Sequence, residues 1–568
     1  MIVRSATVRS AQPFLNLFFE ADTPSKLMPE KNAIIARMIQ PESLKSEEFQ
    51  PWSRGRGVDV WAMICASITG DLETIKSLVA RDPNLVECEY EYFKPLHFAV
   101  RENQRAIVEF LIEKGANATE AGGDSPLTLA RDRGYDELAA FLESKTKSEY
   151  HIVPEGAAIA ALIKARDVTQ VRALLEKQPE LLHAADERGN QPIHWAVMTR
   201  QVELIDYLLG RGADINAMRP DGARPLNLTN GDYHYRGWRD LPSTALRKHE
   251  VLVGYLLARG ADYEISAAAE IGHLDRVREL LDQNPALANR VPPYSTYYSG
   301  LPLRCAAGAG HLDVVKLLLE RGSNPNQPEP GIAPQGGALH AAIGRQHYEI
   351  VKLLLERGAN PNAAVESSGN CLWMAKHTGA PREVLELIAS YGGVRTVPLV
   401  CYDGDVETLA AMLHANPQLL FDDESLHYVI DEGHRQFMEL ILRHQPDVLI
   451  RFALRRAKTP EFARWLMKCG LDPKRGDWLG VTPLHRCAAD GNIETATVCL
   501  DFGADIDAID TEYSSTPLGW AVRQGRKEMV EWLLKKGAKP KLPKDELWAL
   551  PSAWAKRRGH HAIIEVLR

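Results

Sequence analysis

Long apolar runs are missing from this chain of 568 residues, and no window approaches the roughly 20 unbroken apolar residues that a membrane-spanning helix needs. The apolar stretch Pro13 to Phe19 is short, is interrupted by Asn16 and has no small-residue cleavage site after it, so no secretory leader is expected. Paired cysteines are lacking as well. The eight cysteines lie far apart with no C-x-x-C spacing, which argues against a disulfide framework and makes them small buried hydrophobes. Nor is there an excess of positive charge: 67 Lys and Arg stand against 75 Asp and Glu, leaving a formal charge of −8 and no electrostatic footprint for nucleic acid. Only the C-terminus is locally basic, with Arg523, Arg526, Lys527, Lys535, Lys536, Arg557 and Arg558 among its cations. That cluster reads as the solvated outer face of an end cap. Finally, no G-x-x-x-x-G-K-[ST], H-E-x-x-H or G-x-S-x-G pattern occurs, and Gly55-Arg56-Gly57 lacks the strand and helix context of a phosphate loop. The chain is therefore expected to be a cytoplasmic monomer that needs no cofactor or metal and binds neither membrane nor nucleic acid.

What the chain has is recurrence. Thr482-Pro483-Leu484-His485 opens a segment that runs through Leu-rich sequence to Gly503-Ala504-Asp505, and Thr516-Pro517-Leu518 opens the same pattern 34 residues later, closing at Gly537-Ala538. A period between about 20 and 50 residues signals stacked supersecondary units rather than one closed globule. Similar starts occur at Pro95-Leu96-His97, Pro192-Ile193-His194, Leu301-Pro302-Leu303 and Ala338-Leu339-His340. The matching second helices end at Gly115, Gly212, Gly322, Gly358, Gly503 and Gly537, where a left-handed residue is needed after the helix. From Val58 onward about sixteen units of short helix, turn, longer helix and connecting finger are expected.

These motifs resemble the ankyrin-repeat family, with its T-P-L-H-x-A start, G-H-x-x-[IV]-V middle and L-L-x-x-G-A-[DN] close; Gly310 to Gly322 is a nearly ideal instance. The resemblance covers about residues 58–568 and implies an all-α solenoid and a protein-binding role. It also implies a structural role for the repeat-start histidines His97, His194, His340, His427 and His485, which in the family bond backbone at repeat junctions. A second variant with an x-P-x-L ending, as at Asp82-Pro83-Asn84-Leu85, looks like the style of bacterial ankyrin arrays. The chain divides into an N-terminal extension or cap over 1–57, a first block over 58–145 and an irregular linker over 146–156. A central block over 157–397 follows, then a C-terminal block over 398–568 that is degenerate at first.

Four departures from the repeat cluster in the central block. An insertion over 229–247 carries Tyr233, Tyr235, Trp238 and Arg239, and the fingers 291–300, 327–337 and 363–370 are lengthened. Consecutive fingers should line one edge of the concave face, whereas the insertion falls at the opposite end of its unit and joins them only by folding back. Tyrosine, tryptophan and arginine combine large apolar area with a polar handle and often anchor partners. Tyr233, Tyr235, Trp238, Arg239, Tyr294, Tyr297, Tyr298, Arg304, Gln335, Glu366, Ser367 and Asn370 are thus the expected binding residues for a partner protein or peptide. Self-packing of these loops is the structural counter-reading. The alternative function is a small-molecule or carbohydrate site, with hydrolase or lyase chemistry at a central groove. Asp232, His234, Asp240 and Glu366 would be its acid–base groups, provided they converge.

Overall fold

A proline at the first helical position repeatedly starts the short helices, as in Pro95–Arg101, Pro192–Met198, Pro302–Ala309, Pro483–Asp490 and Pro517–Arg523. Proline suits that position because its missing N–H would be unpaired there and its fixed φ is already helical. Glycine ends the partner helices: Gly115, Gly212, Gly322, Gly358, Gly503 and Gly537 have φ between 80° and 99°, the left-handed region that a Cβ disfavours. These two local rules cut the chain into helical pairs. A computed structural model describes residues 34–120, 123–243, 245, 249–292, 294, 300–366 and 368–568, without the side chains of Trp238, His249 and Glu250.

Units 1 to 8 span residues 57–81, 95–113, 126–150, 154–177, 192–210, 225–257, 265–283 and 302–320. Units 9 to 16 span 338–356, 371–390, 397–415, 423–444, 452–468, 483–501, 517–535 and 551–566. The expected all-α solenoid is what the chain forms. In unit 6 the first helix is reduced to a 3₁₀ turn, Pro225–Leu228, and in unit 13 residues 451–459 are irregular before the helix Pro460–Lys468. Over 146–156 there is no break in the stack: the helix Asp136–Tyr150 runs on, His151 turns in the left-handed region, and Ile152 pairs with Ala185 of the next finger before Pro154 starts unit 4. A longer helix has replaced the missing finger. Residues 34–56 cap unit 1 through the 3₁₀ turn Glu42–Lys45, a two-residue antiparallel ladder and the fully buried Leu44.

Two side-chain ladders fix neighbouring units in register. Asn326 donates from Nδ2 to the Gly358 carbonyl (2.8 Å) and accepts at Oδ1 from the Asn360 N–H (2.7 Å); Asn289 and Asn362 do the same to the units after them. On the other side, the N-cap His of the second helix donates back to the preceding unit, His311 to the Glu270 carbonyl (2.9 Å) and His347 to the Gly308 carbonyl (3.2 Å). The buried apolar side chains between the layers fall into successive clusters within 159–294, 265–388 and 400–563. A further cluster joins residues 38–142 to Trp478, Leu479 and Val481, so the two ends of the solenoid share one apolar core.

Candidate functional site

The insertion is a folded element rather than a loose loop. Gly231 bridges Arg236 in a tight turn, Asp232 accepts the N–H groups of His234 and Tyr235 (2.9 Å each), and the short helix Gly237–Asp240 closes it. Asp232 is buried against Arg219 of the preceding finger (2.8 Å), and Arg200 donates to the Thr229 carbonyl and to Asn230. Burial opposes the charge on Asp232, but the Arg219 guanidinium and the surrounding donors hold its carboxyl below the ordinary value. These anchors fold the insertion back. Tyr233 donates its hydroxyl to Glu366 (3.2 Å), a residue of the finger 363–370, which has Glu366 N–H on the Ile332 carbonyl of the finger before (2.8 Å). Ile332, Ala333 and Val365 form a small apolar cluster between those two fingers. Fingers 327–337 and 363–370 therefore pack side by side.

The residues expected to bind a partner divide sharply. Tyr233 and Glu366 meet, and Gln335 is exposed on the finger 327–337, accepting from Asn360 (3.4 Å). Tyr235 packs edge-on against Trp195, and Arg239 is exposed and paired with Asp240. Tyr294, Arg304 and Asn370 are buried and belong to the scaffold: Tyr294 lies in the core, Arg304 pairs with Glu329 at 2.7 and 3.0 Å, and Asn370 caps its helix and donates to Val394. Tyr297, Tyr298, Ser367 and the Trp238 side chain lie outside the described residues. The acid–base groups of the alternative do not converge. Asp232 is held by Arg219, Asp240 by Arg236 N–H and Arg239, and Glu366 by Tyr92 and Tyr233, while His234 meets Asp232 only through its backbone N–H.

The partner of Glu366 reveals what the repeat pattern did not: the first block lies against both other blocks. Tyr90 and Phe93 close a two-residue hairpin whose tip, Glu91 and Tyr92, sits at φ 50° and 70°, a conformation that non-glycine residues rarely take. Tyr92 donates to Glu366 (2.9 Å), while Glu91 meets Arg455 and accepts from Trp478 Nε1 (3.0 Å). Deeper in the junction, Glu512 is buried between His97 Nε2 (2.9 Å) and Arg101 Nη1 (3.4 Å), and Arg133 donates to its carbonyl (2.7 Å). Burial raises the cost of that charge, yet His97, Arg101 and Arg133 together hold the Glu512 carboxyl down at about 2. Asp124 meets Arg523, and Asp132 meets Arg558 (2.9 Å) and Arg557 (3.5 Å). The C-terminal basic cluster, expected to be a solvated cap, thus supplies three arginines to an internal interface; acids more than 380 residues earlier in the chain are their partners.

Between the sealed ends an open groove crosses the inner helices of units 6 to 10. Its volume is about 650 Å³, and its lining includes Thr229, Ser266, Ala267, Gly308, Ala309, His340, Ala341, Gly344 and Met374. Small side chains form the floor. Among the repeat-start histidines, His194, His340 and His485 donate from Nε2 to finger carbonyls, as the family resemblance implied. His97 departs from that role by pairing with Glu512, and His427 packs on Phe452 at 4.7 Å. The asparagine ladder escaped the reading of the sequence, although Asn324-Pro325-Asn326 and Asn360-Pro361-Asn362 repeat its signal. Glu91, Tyr92 and Glu512 carried no signal, because their partners are distant in sequence.

All eight cysteines are free, and six are buried. Among the described residues no helix is long and apolar enough to cross a membrane, and no group of three or more His, Cys, Asp or Glu is placed to hold a metal ion.

Comparison with known proteins agrees with the fold. A family description of ankyrin repeats in three copies matches residues 62–154, 265–365 and 449–544, more than half of the chain, and a second description of ankyrin repeats in many copies matches 159–209. Similar curated proteins include the palmitoyltransferase ZDHHC17 of Rattus norvegicus, 39% identical over 82 residues, which are 14% of this chain and 13% of that protein. The nuclear factor NF-kappa-B p105 subunit of Gallus gallus is 27% identical over 172 residues, 28% of this chain and 18% of that protein. Alpha-latrocrustotoxin-Lt1a of Latrodectus tredecimguttatus is 25% identical over 159 residues, 28% and 9% respectively. The chain therefore spans less than a fifth of the length of these curated relatives.

Proposed function

This chain belongs to the ankyrin-repeat family, a family of protein–protein interaction modules, and from that premise we propose that it is a non-enzymatic scaffold holding an extended segment of a partner protein. The groove over units 6 to 10 is the binding surface, with Tyr233, Gln335 and Glu366 at its finger rim. Tyr235 and Arg239 flank it on the insertion, while the buried Tyr294, Arg304 and Asn370 support it from behind; Trp238, Tyr297, Tyr298 and Ser367 are proposed as further partner contacts from the sequence alone. A cytoplasmic monomer fits this role.

One observation carries the reading. The groove is long and shallow, because Ala267, Gly308, Ala309, Ala341 and Gly344 leave its floor without large side chains. Inner helices pack at about 8–10 Å from axis to axis, so five of them side by side give a channel roughly 35 Å long. An extended polypeptide covers that distance in about ten residues, whereas a compact small molecule would fill only part of it.

Selection of a random displayed peptide library on the wild-type protein, followed by affinity measurement on Gly344→Trp, tests the proposal. A Cβ at Gly344 meets only Met374, at 3.6 Å and beyond, so the variant should fold while its indole fills the channel. Selected peptides are expected to lose at least about tenfold in affinity. Equal binding to both proteins would move the interaction surface elsewhere.

A further inference from the structure

The repeat-start histidine of unit 9 differs from its counterparts in one atom's surroundings. In unit 5, both ring nitrogens of His194 are used: Nδ1 accepts the Gln191 N–H (3.0 Å) and Nε2 donates to the Ala217 carbonyl (2.9 Å). In unit 14, His485 Nδ1 accepts the Thr482 N–H (3.2 Å) and Nε2 donates to the Ser515 carbonyl (3.1 Å). Both N-cap residues are extended, with ψ 166° and 163°, which turns their N–H back onto the ring. In unit 9 the N-cap is Gly337, whose φ −117° and ψ −5° are helical, and that return bond is lost. Glycine is required there because a Cβ would stand 2.5 Å from Arg304 Cδ and 3.1 Å from Ala333 Cβ; the Arg304–Glu329 pair occupies the space a threonine would need.

The consequence lies in the groove. His340 Nε2 donates to the Ser368 carbonyl (3.1 Å), which fixes the proton on that nitrogen and leaves Nδ1 as an acceptor. Burial lowers the ring's pKa to about 4, so the acceptor lone pair is present at neutral pH. No protein group bonds Nδ1 among the described residues, although the side chain is 3% exposed and lines the groove. Two hydroxyls share this condition. Ser266, 8% exposed, and Thr229, 4% exposed, line the same groove, and neither hydroxyl has a hydrogen-bond partner among the described residues. These three atoms are not sealed from solvent: their residues are largely buried, but each atom opens onto the groove, where the polar atoms of a ligand can replace water as its partner. At the rim, the exposed Glu264 of unit 7 and Arg345 of unit 9 make no ion pair with a described residue.

We propose that His340 Nδ1, Ser266 Oγ and Thr229 Oγ1 bind the main chain of an extended polypeptide segment, the histidine accepting a backbone N–H and the hydroxyls donating to backbone carbonyls. This deepens the scaffold reading above and rests on it. The small-residue floor lets a backbone come close enough for those bonds. Glu264 and Arg345 set the direction, taking a basic and an acidic side chain about five or six residues apart, since two helix spacings are roughly 16–20 Å.

The test uses groove-dependent peptides, those selected on the wild-type protein that Gly344→Trp no longer binds. His340→Gln keeps a donor for the Ser368 carbonyl but removes the Nδ1 acceptor; it should melt like the wild type and lower peptide affinity about tenfold, the worth of one hydrogen bond. His340→Asn does the opposite, presenting Oδ1 near the Nδ1 position while losing the Ser368 bond, so it should keep affinity and melt earlier. N-methylation of one peptide nitrogen should reproduce the His340→Gln loss and add nothing further on that variant. If groove-dependent peptides bind His340→Gln, Ser266→Ala and Thr229→Val as tightly as the wild type, the backbone-reading assignment is overturned while the scaffold reading stands. If no selected peptide depends on Gly344, the groove is not the binding surface and the backbone-reading assignment falls with it.

Discussion

The face between the two end blocks and the groove of the central block are built from the same repeat, yet one is filled and the other open. At the closed face His97 points its Nε2 at Glu512, and Arg101 and Arg133 complete a charge cluster with side chains nearly fully buried at the first two and at Glu512. In the groove the corresponding His340 meets no counter-charge, and the floor is alanine and glycine. Identical positions thus become either a packed interface or the lining of an open channel according to whether another part of the chain arrives opposite them. Curvature decides this, because a solenoid's small rotation per repeat accumulates until distant units face each other.

Opening the closed face should have the largest effect. Glu512→Ala leaves His97 buried without its carboxylate and Arg101 with Glu102 as its one remaining acid, a loss of about 3 kcal/mol, the low end of the usual cost of breaking a buried pair. Urea denaturation should show that loss, and small-angle scattering should show a larger radius. An unchanged radius would mean that the ends stay together without this cluster.

Acid should sharpen the contrast at the groove. The His340 pKa falls from 6.5 to about 4 on folding, so the unfolded chain binds the extra proton first, and stability is full above pH 6.5 and lost as the pH falls toward 4. Between pH 7 and pH 5 this residue should cost about 2 kcal/mol. The melting curve of His340→Gln should be correspondingly less acid-sensitive than that of the wild type. Parallel pH dependences would show that the ring is not buried in its neutral form.

Smaller effects mark the devices that align the fingers. Asn326→Ala removes two inter-unit hydrogen bonds and should cost about 1–2 kcal/mol, with faster amide exchange at Asn360. Smallest of all, Tyr92→Phe deletes the exposed bond to Glu366 and should cost about 0.5 kcal/mol, read most sensitively as faster exchange in fingers 327–337 and 363–370. An effect of several kcal/mol would make the hairpin tip, rather than Glu512, the principal tie between the blocks.

Much of the fold was legible because its causes are local. Proline at the first helical position, glycine at φ near 90° and leucine pairs on the second helix each act within one unit, and they place the helices. The candidate site was legible in part. The central departures did point to the units that carry the groove, and Tyr233 and Glu366 do meet, but Tyr294, Arg304 and Asn370 proved to be buried supports. Aromatic and arginine content marks large side chains without saying on which side of a loop they fall. The basic C-terminus misled for a related reason: Arg523, Arg557 and Arg558 read as solvent-facing until Asp124 and Asp132 are seen opposite them.

By itself the sequence determined the unit, its caps, its period and the number of times it is stacked, since each follows from backbone preferences spanning a few residues. Only the tertiary structure decided that Glu91, Tyr92 and Glu512 lock the first block to the others, and that the acceptor of His340 is left facing a channel. Those outcomes depend on small inter-unit angles summed over many repeats and on the space Arg304 takes from one glycine, quantities that no short stretch of sequence encodes.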